Sequence, residues 1–164
     1  MDAFGKLSAL TLADDWVVAG ALYNTVWNRL TGKPSLHGIN DIDVSYHAED
    51  RIIRKGETMF SGSPMPVEIR NQARVHLWFG KHFGVEIEPI RDCRDSIRRF
   101  SSIAFCVGAR LGGENDIEVF APYGLTDLFS FQIRPNRQCD NRVTHEKKAA
   151  RAKSLWPELN AEPW

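Results

Sequence analysis

Apolar residues occur in this chain at two spacings, one typical of helices and one typical of strands. Leu22, Val26 and Leu30 are four residues apart and predict a helix shortly after the apolar run Trp16 to Ala19, which itself predicts a strand. Polar and apolar residues alternate within the segment Ile39 to Tyr46, which predicts a second strand because successive strand side chains point to opposite faces. We therefore expect an α/β (α+β) fold, with a small mixed β-sheet flanked by helices.

The rest of the chain continues this mixture of elements. Further strands are predicted at Val67 to Arg70, Ser102 to Ala109 and Ile117 to Phe120, and helices at Lys6 to Leu12, Ala48 to Thr58, Asn71 to Phe79, Asp95 to Phe100, Gly124 to Phe129 and Arg142 to Lys153. The glycine-containing turn Gly112 to Asp116 predicts a hairpin. Leu125, Leu128 and Phe129 are predicted to point inward. Since no repeat or linker interrupts the sequence, residues 1–164 are expected to form a single domain.

Composition is that of an ordinary globular protein, with 43% hydrophobic and 26% charged residues. The three cysteines are widely spaced, which argues against a zinc site or a disulfide scaffold and suits a reducing compartment. No apolar run has the length of a membrane helix, and the first residues lack the layout of a signal peptide. We expect a cytoplasmic protein without a membrane partner.

Charge is balanced, with 21 basic and 21 acidic residues. Non-specific nucleic-acid binding needs a strong positive field, so the balance favours a small substrate or a protein partner over a long duplex. The segment Arg142 to Lys153 is locally basic and keeps a nucleic-acid partner open, although such a run is more typical of a solvated helix face.

The candidate chemistry begins with two aspartates one residue apart. Asp41 and Asp43 share one face of the predicted strand, so their carboxylates repel each other. A divalent cation removes this repulsion, and Mg²⁺ is commonly held by one or two carboxylates together with substrate phosphates. The alternative is a solvated acidic strand end.

Two neighbouring segments strengthen the metal interpretation. Gly20 stands where the first strand turns into its helix, and a helix N-terminus offers free N–H groups to a phosphate. Glu68 and Arg70 share one face of a later strand and can join the aspartates if the two strands are neighbours. Taken singly, an ordinary turn and a surface Glu–Arg pair remain alternatives.

The combination resembles the polymerase-β-type nucleotidyltransferase fold: a glycine turn opening a helix, an Asp-x-Asp strand, and an acidic residue on a later strand. Two further blocks resemble a bacterial family of small nucleotidyltransferase-like proteins. They are Asn-Gln-Ala-Arg-Val-His at Asn71 to His76 and Ala-Pro-Tyr-Gly-Leu-Thr-Asp-Leu-Phe at Ala121 to Phe129. The similarity extends from about Asp15 to about Pro157 and covers most of the chain.

The resemblance implies Mg²⁺-dependent transfer of a nucleoside monophosphate from a nucleoside triphosphate (NTP) to an acceptor hydroxyl that it does not identify. It implies a metal site at Asp41 and Asp43, with Glu68 as the third catalytic carboxylate. Gly20 and Ala21 would receive the phosphates, although this fold usually has Gly or Ser where Ala21 stands, and Arg70 would steady them. The alternatives are a non-catalytic nucleotide-binding regulator of the same fold and an enzyme that modifies RNA ends through the basic C-terminal helix.

Overall fold

A computed structural model describes residues 14–48, 65–84, 86–112 and 116–164, without the side chains of His82 and Phe83. The strands are β1 (Trp16–Val18), β2 (Ile42–Tyr46), β3 (Val67–Asn71), β4 (Gly108–Leu111), β5 (Ile117–Phe120), β6 (Gln132–Ile133) and β7 (Asn160–Ala161). The α-helices are α1 (Gly20–Thr31), α2 (His76–Phe83), α3 (Cys93–Arg98), α4 (Thr126–Phe129) and α5 (Arg142–Leu155), and 3₁₀ turns occur at Gln72–Arg74 and Ile103–Phe105. The predicted helix at Lys6 to Leu12 lies outside the described residues, as does the one at Ala48 to Thr58 apart from its first residue.

The main sheet has five strands in the order β3-β2-β1-β4-β5. Strands β2 and β3 are parallel, and the other neighbouring pairs are antiparallel. Strands β6 and β7 form a separate parallel pair. This architecture confirms the predicted mixed sheet with helices, and the β4–β5 pairing confirms the predicted hairpin.

Strand β1 is buried on both of its faces, which explains why its sequence is continuously apolar. Trp16 and Val18 belong to the main core, whereas Val17 packs with Val44 and Tyr46 in a smaller cluster on the other face of the sheet. Central strands that are covered on both faces commonly lose the polar–apolar alternation. The apolar run therefore marks the centre of the sheet.

Tryptophans fix the position of the two longest helices. Trp27 of α1 and Trp156 at the end of α5 are fully buried, with ring centroids 5.3 Å apart. The indole of Trp27 donates to the Leu128 carbonyl oxygen at 3.0 Å, and that of Trp156 donates to Asn28 Oδ1 at 3.0 Å. Since each buried indole N–H has an acceptor, burial of these large rings stabilises the fold without an unpaired donor.

Three details differ from the sequence predictions. The segment Ser102 to Ala109 was predicted as one strand, but it contains the 3₁₀ turn before β4 begins at Gly108. Phe129 was predicted to point inward and is 52% exposed, because the short helix α4 turns only Leu128 fully into the core. The helix predicted at Asn71 to Phe79 is divided into the 3₁₀ turn Gln72–Arg74 and helix α2, and Asn71 caps the turn by accepting a hydrogen bond from the Ala73 N–H at 3.0 Å.

Replacing Gly38 by alanine is expected to destabilise the protein strongly. Gly38 has φ +70°, and a Cβ atom there would lie 2.6 Å from Trp156 Cη2. Strain in the left-handed region and the clash together should cost roughly 2–4 kcal/mol. Gly32→Ala is the matched control, because Gly32 has φ +67° but no atom within 4 Å of the added Cβ. Urea denaturation measures both, and equal losses for the two variants would show that the packing against Trp156 carries no weight.

Candidate functional site

The two aspartates lie where β2 enters the sheet, between β1 and β3. Asp43 is opposite Val18 of antiparallel β1 and Glu68 of parallel β3. Its face of the sheet is therefore the face of Val18 and the main core, and the side chain is 28% exposed. Asp41 precedes the strand by one residue and is also half-buried. The structure thus places both carboxylates at the edge of the core, open to a cleft.

Asp43 experiences an environment that disfavours its charge. Burial raises the pKa of its carboxyl above the ordinary value of 3.8, and the negative charge of Asp41 raises it further. Arg70 and Lys148 act in the opposite direction without cancelling these effects. Two neighbouring carboxylates of this kind suit a hard divalent cation. Its positive charge would offset both the cost of burying the Asp43 charge and the repulsion between the two acids.

Glu68 and Arg70 lie beside Asp43 as the shared-face prediction requires. An Arg70 guanidinium N–H donates to Glu68 Oε2, and Arg70 Nε is 3.9 Å from Asp43 Oδ1. Within the described ranges no three Asp, Glu, His or Cys side chains form a group able to hold a metal, so a shared metal site at Asp41, Asp43 and Glu68 stays a prediction. Arg70 neutralises Glu68 and approaches Asp43.

Glu118, on the predicted strand Ile117 to Phe120, is a further candidate for the third carboxylate, but the structure places it away from the aspartates. It lies on β5, three strands from β2, and accepts hydrogen bonds from Arg110 and Arg94. The hydrogen bond from Arg110 is the main cause that holds the pKa of Glu118 below its usual value. Glu118 therefore forms an ion pair that links β5 to Arg110 of β4, at the edge of the sheet opposite to β3.

The turn between β1 and α1 differs in one respect from the expected glycine turn. The residue in the left-handed region is Ala19, with φ +60° and ψ −140°, and Gly20 is the first residue of the helix. A non-glycine residue in this conformation costs on the order of 1–3 kcal/mol, and such strain is concentrated at functional sites. Since α1 has no side-chain N-cap, its first N–H groups are available to an anion.

Gly20 and Ala21 point to different parts of the molecule. Gly20 lines the cleft beside the aspartates, and an added Cβ would meet the Asn24 side chain at 3.3 Å. The methyl group of Ala21 packs into the smaller apolar cluster, away from this cleft. The alanine that departs from the family pattern therefore leaves the cleft wall unchanged, and only its backbone N–H belongs to the turn.

The opposite wall of the cleft comes from helix α5. The cleft has a volume of about 560 Å³ and is lined by Gly20, Asp41 and Asp43 on one side and by Lys147, Lys148 and Arg151 on the other. The guanidinium of Arg151 donates to the Gly38 carbonyl oxygen at 3.0 Å, and Asn24 of α1 donates to the same oxygen at 3.1 Å. This shared acceptor links α5 to α1 through the loop that contains Gly38.

Lys148 is a cation of α5 whose charge is coupled to both aspartates. Burial lowers the pKa of its ammonium below 10.5, while Asp43 and Asp41 raise it. Although the side chain is exposed along the open cleft, protein surrounds its charged end sufficiently for desolvation to dominate. The site therefore combines two carboxylates and a cluster of cations, as a metal–polyphosphate ligand requires.

The cations were visible in the sequence, but their position was not. The segment Arg142 to Lys153 had been expected to be a solvated helix face, and its side chains are largely exposed. His145, Ala149 and Ala152 are its buried residues, so Lys148 and Arg151 lie at the border between the buried and solvated faces. The sequence indicates this border, because Lys148 and Arg151 directly precede the small residues Ala149 and Ala152.

Replacing Asp43 by asparagine is expected to raise the melting temperature of the metal-free protein at neutral pH. Because the folded pKa exceeds the unfolded one, ionisation of Asp43 costs stability as the pH rises through 3.8 and then through the folded pKa. Asp43→Asn should therefore melt about 1–3 °C higher than wild type at pH 7 in EDTA, and the difference should vanish below the unfolded pKa. Thermal melts between pH 3 and pH 8 measure this.

The matched control is Glu68→Gln, which loses an ion pair with Arg70 and should not gain stability in the same buffer. Mg²⁺ added with an NTP should stabilise the wild type by mass action and the Asp43 variant much less. A variant at position 43 that melts below wild type at pH 7 in EDTA would contradict the assigned electrostatics.

Comparisons with known proteins identify the family and the fold of the chain. The sequence profile of a family described as nucleotidyltransferase matches residues 5–161, and the chain belongs to this family. Among solved structures, one determined by NMR and described as revealing a CCA-adding enzyme head domain has a TM-score of 0.80 with 24% identity, covering 98% of this chain and 87% of that chain. This similarity shows a shared fold. No curated protein matches the chain.

Each helix in residues 14–48, 65–84, 86–112 and 116–164 is too short or too polar to cross a bilayer.

Proposed function

We propose that this protein is a Mg²⁺-dependent nucleotidyltransferase that moves a nucleoside monophosphate from an NTP to an acceptor hydroxyl. One observation carries the proposal. A single cleft brings the N-terminus of α1, the Asp41–Asp43 pair and the cations of α5 together. Membership of the nucleotidyltransferase family supports the reaction class.

The NTP would lie in this cleft with its triphosphate between the two walls. The N–H groups of Gly20 and Ala21 would contact phosphate oxygens at the helix N-terminus. Lys147, Lys148 and Arg151 would neutralise the polyphosphate from α5. Asp41 and Asp43 would hold Mg²⁺, which when bound supplies charge neutralisation at the reacting phosphate.

The reaction itself requires little covalent chemistry from the protein. The acceptor oxygen forms a bond to the α-phosphorus, and the bond from this phosphorus to the bridging oxygen of the β-phosphate breaks. Pyrophosphate leaves with that electron pair, and the hydroxyl proton passes to a carboxylate. Since positioning and charge stabilisation provide most of the acceleration in phosphoryl transfer, a rigid cleft suits this task.

Glu68 and Arg70 would act on the acceptor side of Asp43. We assign the proton of the acceptor hydroxyl to Glu68, whose carboxylate is half-buried next to Asp43 on the neighbouring strand. Arg70 would contact a phosphate and release Glu68 as it does so. The Arg70 side chain is 60% exposed and its guanidinium lies near both acids, so a small rotation changes its partner.

The experiment for this proposal is transfer of label from an NTP. The purified protein is incubated with Mg²⁺, each α-³²P-labelled NTP in turn, and separated protein, RNA and small-molecule fractions of a bacterial extract. Incorporation in one fraction that is lost in Asp41→Asn and retained in Glu158→Gln, a change at an exposed site outside the cleft, is the expected result. Mg²⁺·NTP binding without transfer to any fraction would instead favour a non-catalytic nucleotide-binding regulator.

A further inference from the structure

Asp41 is held less directly by the sheet than Asp43 is. Asp43 lies opposite residues of both neighbouring strands, and within the described strands Asp41 lies opposite none, because β2 begins only at Ile42. The position of Asp41 therefore depends on the connection 32–41, which leads from α1 to β2 and contains the left-handed Gly38. Since metal ligands must lie within about 0.2 Å of their ordinary distances, whatever fixes this connection also fixes a metal site at Asp41.

Two buried asparagines of α1 fasten this connection. Asn24 and Asn28 are four residues apart, so they lie on one face of the helix, and they are 2% and 1% exposed. Asn28 donates to the carbonyl oxygens of Ser35 and His37 at 3.1 and 2.8 Å. These bonds give the carbonyl groups the donors that a helix or a sheet would otherwise supply. Because Asn28 Oδ1 also accepts from the indole of Trp156, its role is to join the two long helices.

Asn24 has a different position, because it also lines the cleft. It stands there beside Gly20 and donates to the Gly38 carbonyl oxygen at 3.1 Å. From the opposite wall, Arg151 donates to the same oxygen at 3.0 Å. A carbonyl oxygen has two lone pairs, so the two donors saturate it. The backbone at Gly38, and with it the direction in which the chain enters Asp41, is held from both walls of the cleft.

The two donors differ in how they would respond to a bound nucleotide. Arg151 is exposed and lines the cleft in which the triphosphate is proposed to lie. Arginine pairs with phosphate through parallel hydrogen bonds between opposite charges, which are stronger than a single bond to a neutral carbonyl. A triphosphate would therefore draw Arg151 away from Gly38. The buried, neutral amide of Asn24 has less to gain from the phosphate and would stay on the carbonyl oxygen.

We propose that Asn24 is a positioning residue for the metal site, which holds Asp41 in place through the Gly38 carbonyl and does so alone once a nucleotide has engaged Arg151. This inference rests on the proposed function, because it assumes that Asp41 binds Mg²⁺ beside an NTP. Loss of a residue that orients a metal ligand commonly lowers metal affinity by about 10- to 100-fold. An Asn24 variant should therefore lose the contribution of the metal and keep that of the cations.

The test compares NTP affinity with and without the metal. Calorimetry at low ionic strength measures the binding of ATP, CTP, GTP and UTP in turn, once in Mg²⁺ and once in EDTA. Asn24→Ala should weaken binding about tenfold in Mg²⁺ and by less than about twofold in EDTA. Asn24→Gln keeps the amide donor on a longer stem, and the cleft offers room for the added methylene, so this variant should recover part of the loss.

Two further variants separate positioning from other effects. Arg151→Ala should weaken NTP binding in both buffers, because it removes a phosphate contact and leaves Asn24 on Gly38. Asn136→Ala is the matched control, since Asn136 is also buried and donates to the backbone carbonyls of Arg98 and Phe100, but lies outside the cleft. It should lower the melting temperature and leave NTP affinity unchanged in both buffers.

The outcomes distinguish this inference from the proposed function. Equal weakening of Asn24→Ala in Mg²⁺ and in EDTA would show that Asn24 only supports the helix, and unchanged affinity in Mg²⁺ would show that it supports nothing at the site. Either result overturns the positioning role. If circular dichroism shows Asn24→Ala to be unfolded, Asn24→Ser leaves a smaller void and carries the same expectation. A wild type whose NTP affinity is the same in both buffers would refute the proposed Mg²⁺ dependence itself.

Discussion

Replacing either Asp41 or Asp43 by asparagine is expected to abolish Mg²⁺-dependent NTP binding while the fold remains intact. The amide keeps the shape of the side chain but supplies no negative charge for the metal. Loss of residues that merely orient metal ligands commonly costs 10- to 100-fold, so loss of a ligand itself should cost more than about 100-fold in affinity or transfer. Titration calorimetry with Mg²⁺ and each NTP in turn measures the effect.

The control for this pair of variants is Glu158→Gln, which removes an exposed carboxylate outside the cleft. It should bind Mg²⁺·NTP like wild type. Circular dichroism should show that both aspartate variants are folded, because the change relieves repulsion. Wild-type affinity in both aspartate variants would show that the metal assignment is wrong.

Lys148→Ala is expected to weaken Mg²⁺·NTP binding by about 10- to 100-fold. This range corresponds to the 1.5–3 kcal/mol typical of a hydrogen bond to a charged group. Lys148 lies on α5 in the cleft wall that faces the aspartates, and its charge interacts with those of Asp43 and Asp41. Lys148→Arg should recover part of the affinity, because the charge remains although its geometry changes.

Lys153→Ala is the matched control on the same helix, since Lys153 is exposed and does not line the cleft. Its affinity should equal that of wild type at all salt concentrations. The wild-type affinity should fall with salt, and more steeply than that of Lys148→Ala. Equal affinities for Lys148→Ala and Lys153→Ala would show that Lys148 does not contact the nucleotide and that its face of α5 is simply solvated.

The acidic half of the site could be predicted from the sequence, because it depends on strand periodicity. Alternation alone puts Asp41 and Asp43 on one face and does the same for Glu68 and Arg70. The parallel register that sets Asp43 opposite Glu68 confirms that the two faces meet. Local rules suffice here because neighbouring strands lie about 4.8 Å apart, and side chains on one face must then be close.

The basic half could not be predicted, because α5 follows the aspartates by about 100 residues and reaches them only through the core. Its location depends on Trp156 packing against Trp27 and on the Arg151 contact with Gly38. Neither contact has a local sequence pattern. The strained conformation of Ala19 was equally hidden, since the adjacent Gly20 was the obvious residue for a tight turn.

The ion pair between Arg70 and Glu68 has a simple physical reason. Arg70 shares a strand face with Glu68, and two residues of separation bring the guanidinium within reach of that carboxylate. The sequence contains both residues of the pair, but strand periodicity alone does not determine which side chains form an ion pair.

A crystal structure with Mg²⁺ and an NTP analogue that cannot be cleaved between the α- and β-phosphates tests the central claim most directly. The account predicts the metal on Asp41 and Asp43, and the triphosphate between the N-terminus of α1 and Lys148. A nucleotide bound elsewhere, or metal and phosphates that avoid both aspartates, would contradict it.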